Sequence, residues 1–98
     1  MREFVRGLKK SIANSEDSKQ VVRSSGSIAA NYIEANEALS QKDFLMRVKI
    51  CRKEAKESGL WLRLMDAESS NQEEERQVLV QESIELMKIF GAIVRKSE

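Results

Sequence analysis

Histidine and proline are absent from this chain of 98 residues, cysteine occurs once, glycine four times, and aromatic residues make up 5%. Each shortage excludes something. Without histidine the commonest general base, metal ligand and triad member is missing. No Glu-x-x-His pair of the kind used by di-metal bundles can be drawn around Glu34, Glu54, Glu57 or Glu82. The lone Cys51 closes no internal disulfide, and the isolated glycines form no phosphate-cradling loop. No apolar run is long enough to cross a membrane or to serve as a secretory core, so the reducing cytoplasm is the expected compartment. The net charge of +1, from 17 basic and 16 acidic residues, points to no polyanion by itself; the distribution of charge has to decide. These absences predict a protein that is not an enzyme, with no catalytic residues, no metal and no cofactor.

What is present favours helix. Ala, Leu, Glu, Lys, Arg and Gln abound, and β-branched residues are too scattered for a sheet, so the expected class is all-α. The length suits one domain, residues 1–98, that buries only a modest share of its surface and gains from assembling with copies of itself. Four segments carry helical periodicity. The first runs from about Arg2 to Ala13, with Phe4, Val5, Leu8 and Ile12 at helical spacing and a break at Asn14 and Ser15. Either of those residues caps a second helix reaching about Leu39, with Glu16 and Asp17 at the positive end of its dipole. Ser40, three residues before Asp43, opens a third helix to about Ala67 in a capping-box-like pattern. Ser69, Ser70 and Asn71 form the next turn, and Glu73, Glu74 and Glu75 crowd the start of a fourth helix ending near Lys96. Connections of a few residues make successive helices antiparallel neighbours. The expectation is an antiparallel up-down-up-down four-helix bundle with a short first helix. At about 1.5 Å per residue, helices two to four are roughly 35–42 Å long. One end is then three helices thick, unless another subunit or residues upstream of Met1 fill the gap.

The third helix unwraps into distinct faces at 100° per residue. Phe44, Val48, Cys51, Ala55, Ser58, Leu62 and Met65 form a core seam, in which Cys51 is a small buried apolar residue. A second apolar stripe, Met46, Ile50, Trp61 and Leu64, exceeds what one seam needs, which marks Trp61 and Leu64 as interface candidates. Lys42, Lys49, Arg52, Lys53, Lys56 and Arg63 share the far side. This cation face has two readings: a surface for nucleic-acid phosphates, or the ordinary charged face of a helix in water. No aromatics interleave with it, so single-strand stacking is not expected. On the second helix, Ser24, Ser27, Asn31 and Glu34 form a small, polar stripe beside the apolar Val21, Ile28, Tyr32 and Leu39. With Arg47 and Glu54 of the third helix as candidate partners, that stripe reads as a structural polar interlock.

The block from Arg23 to Ala35, RSSGSIAANYIEA, followed by Lys42-Asp43-Phe44, Glu54-Ala55-Lys56-Glu57 and Trp61-Leu62, resembles the bacterial four-helix-bundle family of 23S rRNA intervening-sequence proteins. The strong match covers about forty residues and the looser one most of the chain. The resemblance implies an antiparallel four-helix bundle and a ring-forming oligomer, typically a pentamer. A related branch, the accessory variability protein of diversity-generating retroelements, is a basic pentamer that binds nucleic acid; this chain is less basic and its first helix shorter. Carried over by position, Ser27, Asn31 and Glu34 are motif residues, Phe44 a core anchor and Trp61 a core or interface anchor. Two functions follow as expectations: a homo-oligomeric scaffold that meets RNA or DNA through the third-helix cations, or an adaptor that docks a protein partner near Trp61.

Overall fold

The computed structural model describes residues 1–8 and 10–98. Its helices are α1 (Arg2–Gly7), α2 (Ile12–Asn36), α3 (Gln41–Leu64) and α4 (Ser70–Ser97), and no strand occurs among the described residues. Serines open the three long helices. The hydroxyl of Ser11 accepts from the Asn14 amide at 3.0 Å, that of Ser40 from Asp43 at 3.1 Å, and that of Ser69 from Gln72 at 3.1 Å. Each satisfies one of the amide donors that a helix start leaves unpaired.

The first boundary differs from expectation. α1 stops at Gly7, and α2 starts at Ile12 under the Ser11 cap, a turn earlier than Asn14 or Ser15 would place it. The reason is tertiary. Asn14 is buried and turned away from its own helix start: its Nδ2 donates to the Asp66 carbonyl at 3.1 Å, and its Oδ1 accepts from the Asp66 amide at 3.0 Å. Ile12, expected among the apolar positions of the first helix, is 88% exposed. The second helix also ends sooner, at Asn36, so Leu39 lies in the turn and is 99% exposed instead of extending the apolar stripe.

α3 is the central element, packing on both α2 and α4. Two core clusters share its seam. Near the end of α3, Leu62 and Met65 gather Phe4, Leu8, Val21 and Val80. Towards its start, Val48, Cys51 and Ala55 gather Ala35, Phe90 and Val94. α1 contributes only to the first cluster, so the body is four helices thick at that end and three at the other. On the side that α1 leaves open, Ile28, Ala29 and Tyr32 of α2 face Leu86, Ile89 and Phe90 of α4 across a groove of about 500 Å³. The body is rod-like, 45 × 19 × 17 Å.

Candidate nucleic-acid interface

The orientation of α3 decides which of its faces reaches solvent, and polar contacts with α2 set that orientation. The hydroxyls of Ser24 and Ser58 lie 2.7 Å apart, both buried, and Ser24 also donates to the Val21 carbonyl at 3.3 Å. Arg47 Nη1 donates to Asn31 Oδ1 at 3.0 Å, and Asn31 Nδ2 donates to the Ser27 hydroxyl at 3.1 Å. Arg23 Nη2 stands 3.5 Å from carboxylate oxygens of both Glu54 and Glu57. Towards Glu57 the contact is a hydrogen bond; the buried Glu54 oxygen has none and is paired by charge alone. Five of the six residues read as an interlock thus lie along the α2–α3 contact. Glu34 does not. It is exposed on the outer side of α2, and Asn31 takes the guanidinium of Arg47 in its place.

With Cys51, Ala55 and Leu62 fully buried, the opposite side of α3 turns outward. Lys42, Lys49, Lys53, Lys56 and Arg63 are exposed and Arg52 is half-buried. Among the described residues one carboxylate pairs with any of these six: Glu98 Oε1, 3.6 Å from Lys49 Nζ. The acids of α3 are engaged or placed elsewhere, Glu54 and Glu57 by Arg23 on the α2 side and Asp43 in the first turn. Cations left without counter-charges on one helical face concentrate positive potential that a net charge near zero conceals.

The fold adds two residues that the sequence reading missed. A Cβ built on Gly91 of α4 would lie 3.8 Å from Arg52 Cδ and 3.4 Å from Arg95 Nη1, so both arginines converge over that glycine. One turn before Gly91, Lys88 is exposed on α4, level with the Lys56 region of α3 in the antiparallel register. The available signal was the i, i+7 spacing of Lys88 and Arg95, which places both on one side of α4. Only the register of α4 against α3 brings that side beside the α3 cations.

Other groups are bound up in structure. Trp61 is half-buried and packs against the Leu62 cluster, and Leu64 is 55% exposed. Burial pushes the Cys51 thiol above its ordinary pKa, a residual backbone hydrogen bond opposing this in part; a thiol so held is a poor nucleophile. Hydrogen bonds from Arg76, and then Gln77, hold Glu73 down at about 2. Among the described residues no group of three or more His, Cys, Asp or Glu could hold a metal ion. Among them, too, no helix is long and apolar enough to cross a membrane.

Comparison with known families now bears on this geometry. Residues 2–92 match the profile of the 23S rRNA-intervening sequence protein family. The chain belongs to that family. Among solved structures, this intervening-sequence protein is similar to a protein of unknown function from the S23 ribosomal protein family of Bacteroides thetaiotaomicron. The two are 31% identical and superpose with a TM-score of 0.74, over 94% of this chain and 82% of the other. Among curated proteins none matches it.

Proposed function

We propose that this intervening-sequence protein is a non-enzymatic, cytoplasmic, homo-oligomeric bundle that associates with RNA or DNA through the outer face of α3. The observation that carries the reading is the set Lys42, Lys49, Arg52, Lys53, Lys56 and Arg63, directed away from the core with a single carboxylate pairing among the described residues. Phosphate contacts of this kind need no base recognition and release condensed counterions. Assembly into a ring, for which the resemblance suggests five subunits, would repeat the face and multiply its effect.

Replacing Lys49, Arg52, Lys53 and Lys56 together with glutamine tests the reading. Light scattering is expected to give an unchanged assembly mass. Binding of a short duplex should weaken, with the slope of log K against log salt falling by about 3 to 4, close to one unit per phosphate contact removed. Unchanged affinity and slope would overturn it. A second reading, an adaptor for a protein partner, draws on the exposed apolar side chains Met46, Leu60 and Leu64 beside the cations. Binding of a defined protein that persists at high salt, with no duplex affinity, would select that alternative.

A further inference from the structure

The glycines on the α3–α4 seam are not alike. At Gly59 an added Cβ would come within 2.7 Å of Ser83 Oγ, so close helix packing accounts for its lack of a side chain. Gly91 has no such account: the nearest atoms are the outer parts of two arginine side chains, at 3.4 and 3.8 Å. A buried glycine in mid-helix forgoes stability that alanine would supply, yet alanine would fit here in ordinary contact. Gly91 is itself buried, so the two arginine side chains lie over its backbone, Arg52 by its Cδ and Arg95 by its Nη1. Neither guanidinium has a carboxylate partner among the described residues. Two arginines packed over one glycine with no carboxylate beside them concentrate positive charge, which an anion bound across them would neutralise.

We infer that the nucleic-acid surface is two helices wide, and that the Arg52–Arg95 pair over Gly91 is its anchoring phosphate site on a double-stranded ligand. This inference rests on the phosphate-binding reading above and adds α4 to it. The geometry of the face favours a duplex. Lys49, Arg52 and Lys56 follow α3, Lys88 and Arg95 follow α4, and the axes of two packed helices lie about 8–10 Å apart. The α3 row, from Lys42 to Arg63, extends for about 30 Å, roughly one turn of a double helix. Rows so spaced on a rigid rod can reach phosphates of both strands. No exposed aromatic stands between them to stack unpaired bases; Phe90 points into the core. Recognition is thus of backbone and shape, with the Arg52 and Arg95 guanidiniums gripping phosphate oxygens.

The test compares two charge-removing variants of the full chain, Lys88→Gln with Arg95→Gln on α4 and the four-residue α3 variant. Each is titrated with a short duplex RNA, the duplex DNA of the same sequence and the single strand, over a range of salt. The inference expects the α4 variant to keep its helicity and assembly mass while losing about tenfold or more in duplex affinity, its salt slope reduced by about 2. Arg95→Gln alone is expected to melt like the parent yet to bind duplex several-fold more weakly. If the α3 variant loses binding while the α4 variant and Arg95→Gln bind like the parent, the Arg52–Arg95 site is wrong and the α3 reading stands. If neither charge variant loses binding, both fall together. Single-strand affinity equal to that of the duplexes overturns the duplex assignment, and a preference between RNA and DNA identifies which helix geometry the two rows fit.

Discussion

Gly59 sits at a close approach of α3 to α4, where an added Cβ would lie 2.7 Å from Ser83 Oγ. Ser83 Oγ donates to the Val80 carbonyl at 2.6 Å and is buried. Gly59→Ala should therefore destabilise the fold: overpacking of about 1–3 kcal/mol exceeds the gain of about 1 kcal/mol in helix propensity. The double variant Gly59→Ala with Ser83→Ala removes the obstructing hydroxyl and should recover that loss, as read from urea unfolding midpoints. Equal stability of Gly59→Ala and the parent would mean that the seam yields. Nothing in the sequence separates Gly59 from Gly91, because each is a lone glycine in a helical run. Asn14 was likewise opaque: a cap by residue type, it serves instead as a clamp on the Asp66 backbone, 52 positions away in the chain. Val48, Cys51, Ala55 and Leu62, by contrast, were legible as core, because a period near 3.6 leaves one face for burial.

At the scale of elements, Arg76 ties the end of α3 to the start of α4, beside the Asn14 clamp on Asp66. Arg76 Nη1 donates to the carbonyls of Leu62 and Arg63 at 3.4 and 3.3 Å, satisfying acceptors at the end of α3. Its Nε donates to Glu73 Oε2 at 2.9 Å, and its Nη2 bonds the other carboxylate oxygen. Because Glu73 is lowered from 4.5 to about 2 in the folded chain, it binds its proton more readily when unfolded. The stability it contributes is fully present above about pH 4.5 and is lost as pH falls towards 2. Thermal melts between pH 5 and 2, a range of about those two values, should fall more steeply for the parent than for Glu73→Gln. Identical slopes would show that the pair adds nothing to the junction. The Ser40 cap of α3 was readable in advance, since a hydroxyl three residues before a free amide has a local partner; for α4 the sequence marked Ser69, Ser70 and Asn71 as a turn, and the structure makes Ser69 the cap. The start of α2 was not readable: the candidates Asn14 and Ser15 lie inside the helix that Ser11 caps, and a distant backbone claims Asn14.

For the whole molecule, shape and area argue for assembly. A monomer of 11.2 kDa is expected to expose about 5,700 Å², whereas this chain exposes 6484 Å². The surplus, on the order of 800 Å², is what each partner contributes to an interface of standard size. Its apolar share includes Met46, Leu60 and Leu64 on α3, and Tyr32 and Ile89 beside the open groove. Leu64→Glu is predicted to lower the mass measured by light scattering while leaving the helical signal intact. A mass unchanged from the parent would move the interface away from the Trp61–Leu64 region.

That the chain is helical, and which face of α3 is apolar and which cationic, are local properties, and the sequence alone determined them. Periodicity and composition act through each helix by itself. Tertiary structure decided what depends on two helices meeting. It set the length of α1, made Asn14 a clamp, turned Glu34 outward and brought Arg95 of α4 beside Arg52 of α3 over Gly91. The physical reason is register. Where one helix lies along another is fixed by close contacts such as Gly59 against Ser83, between residues far apart in the chain, and no pattern within either helix encodes it.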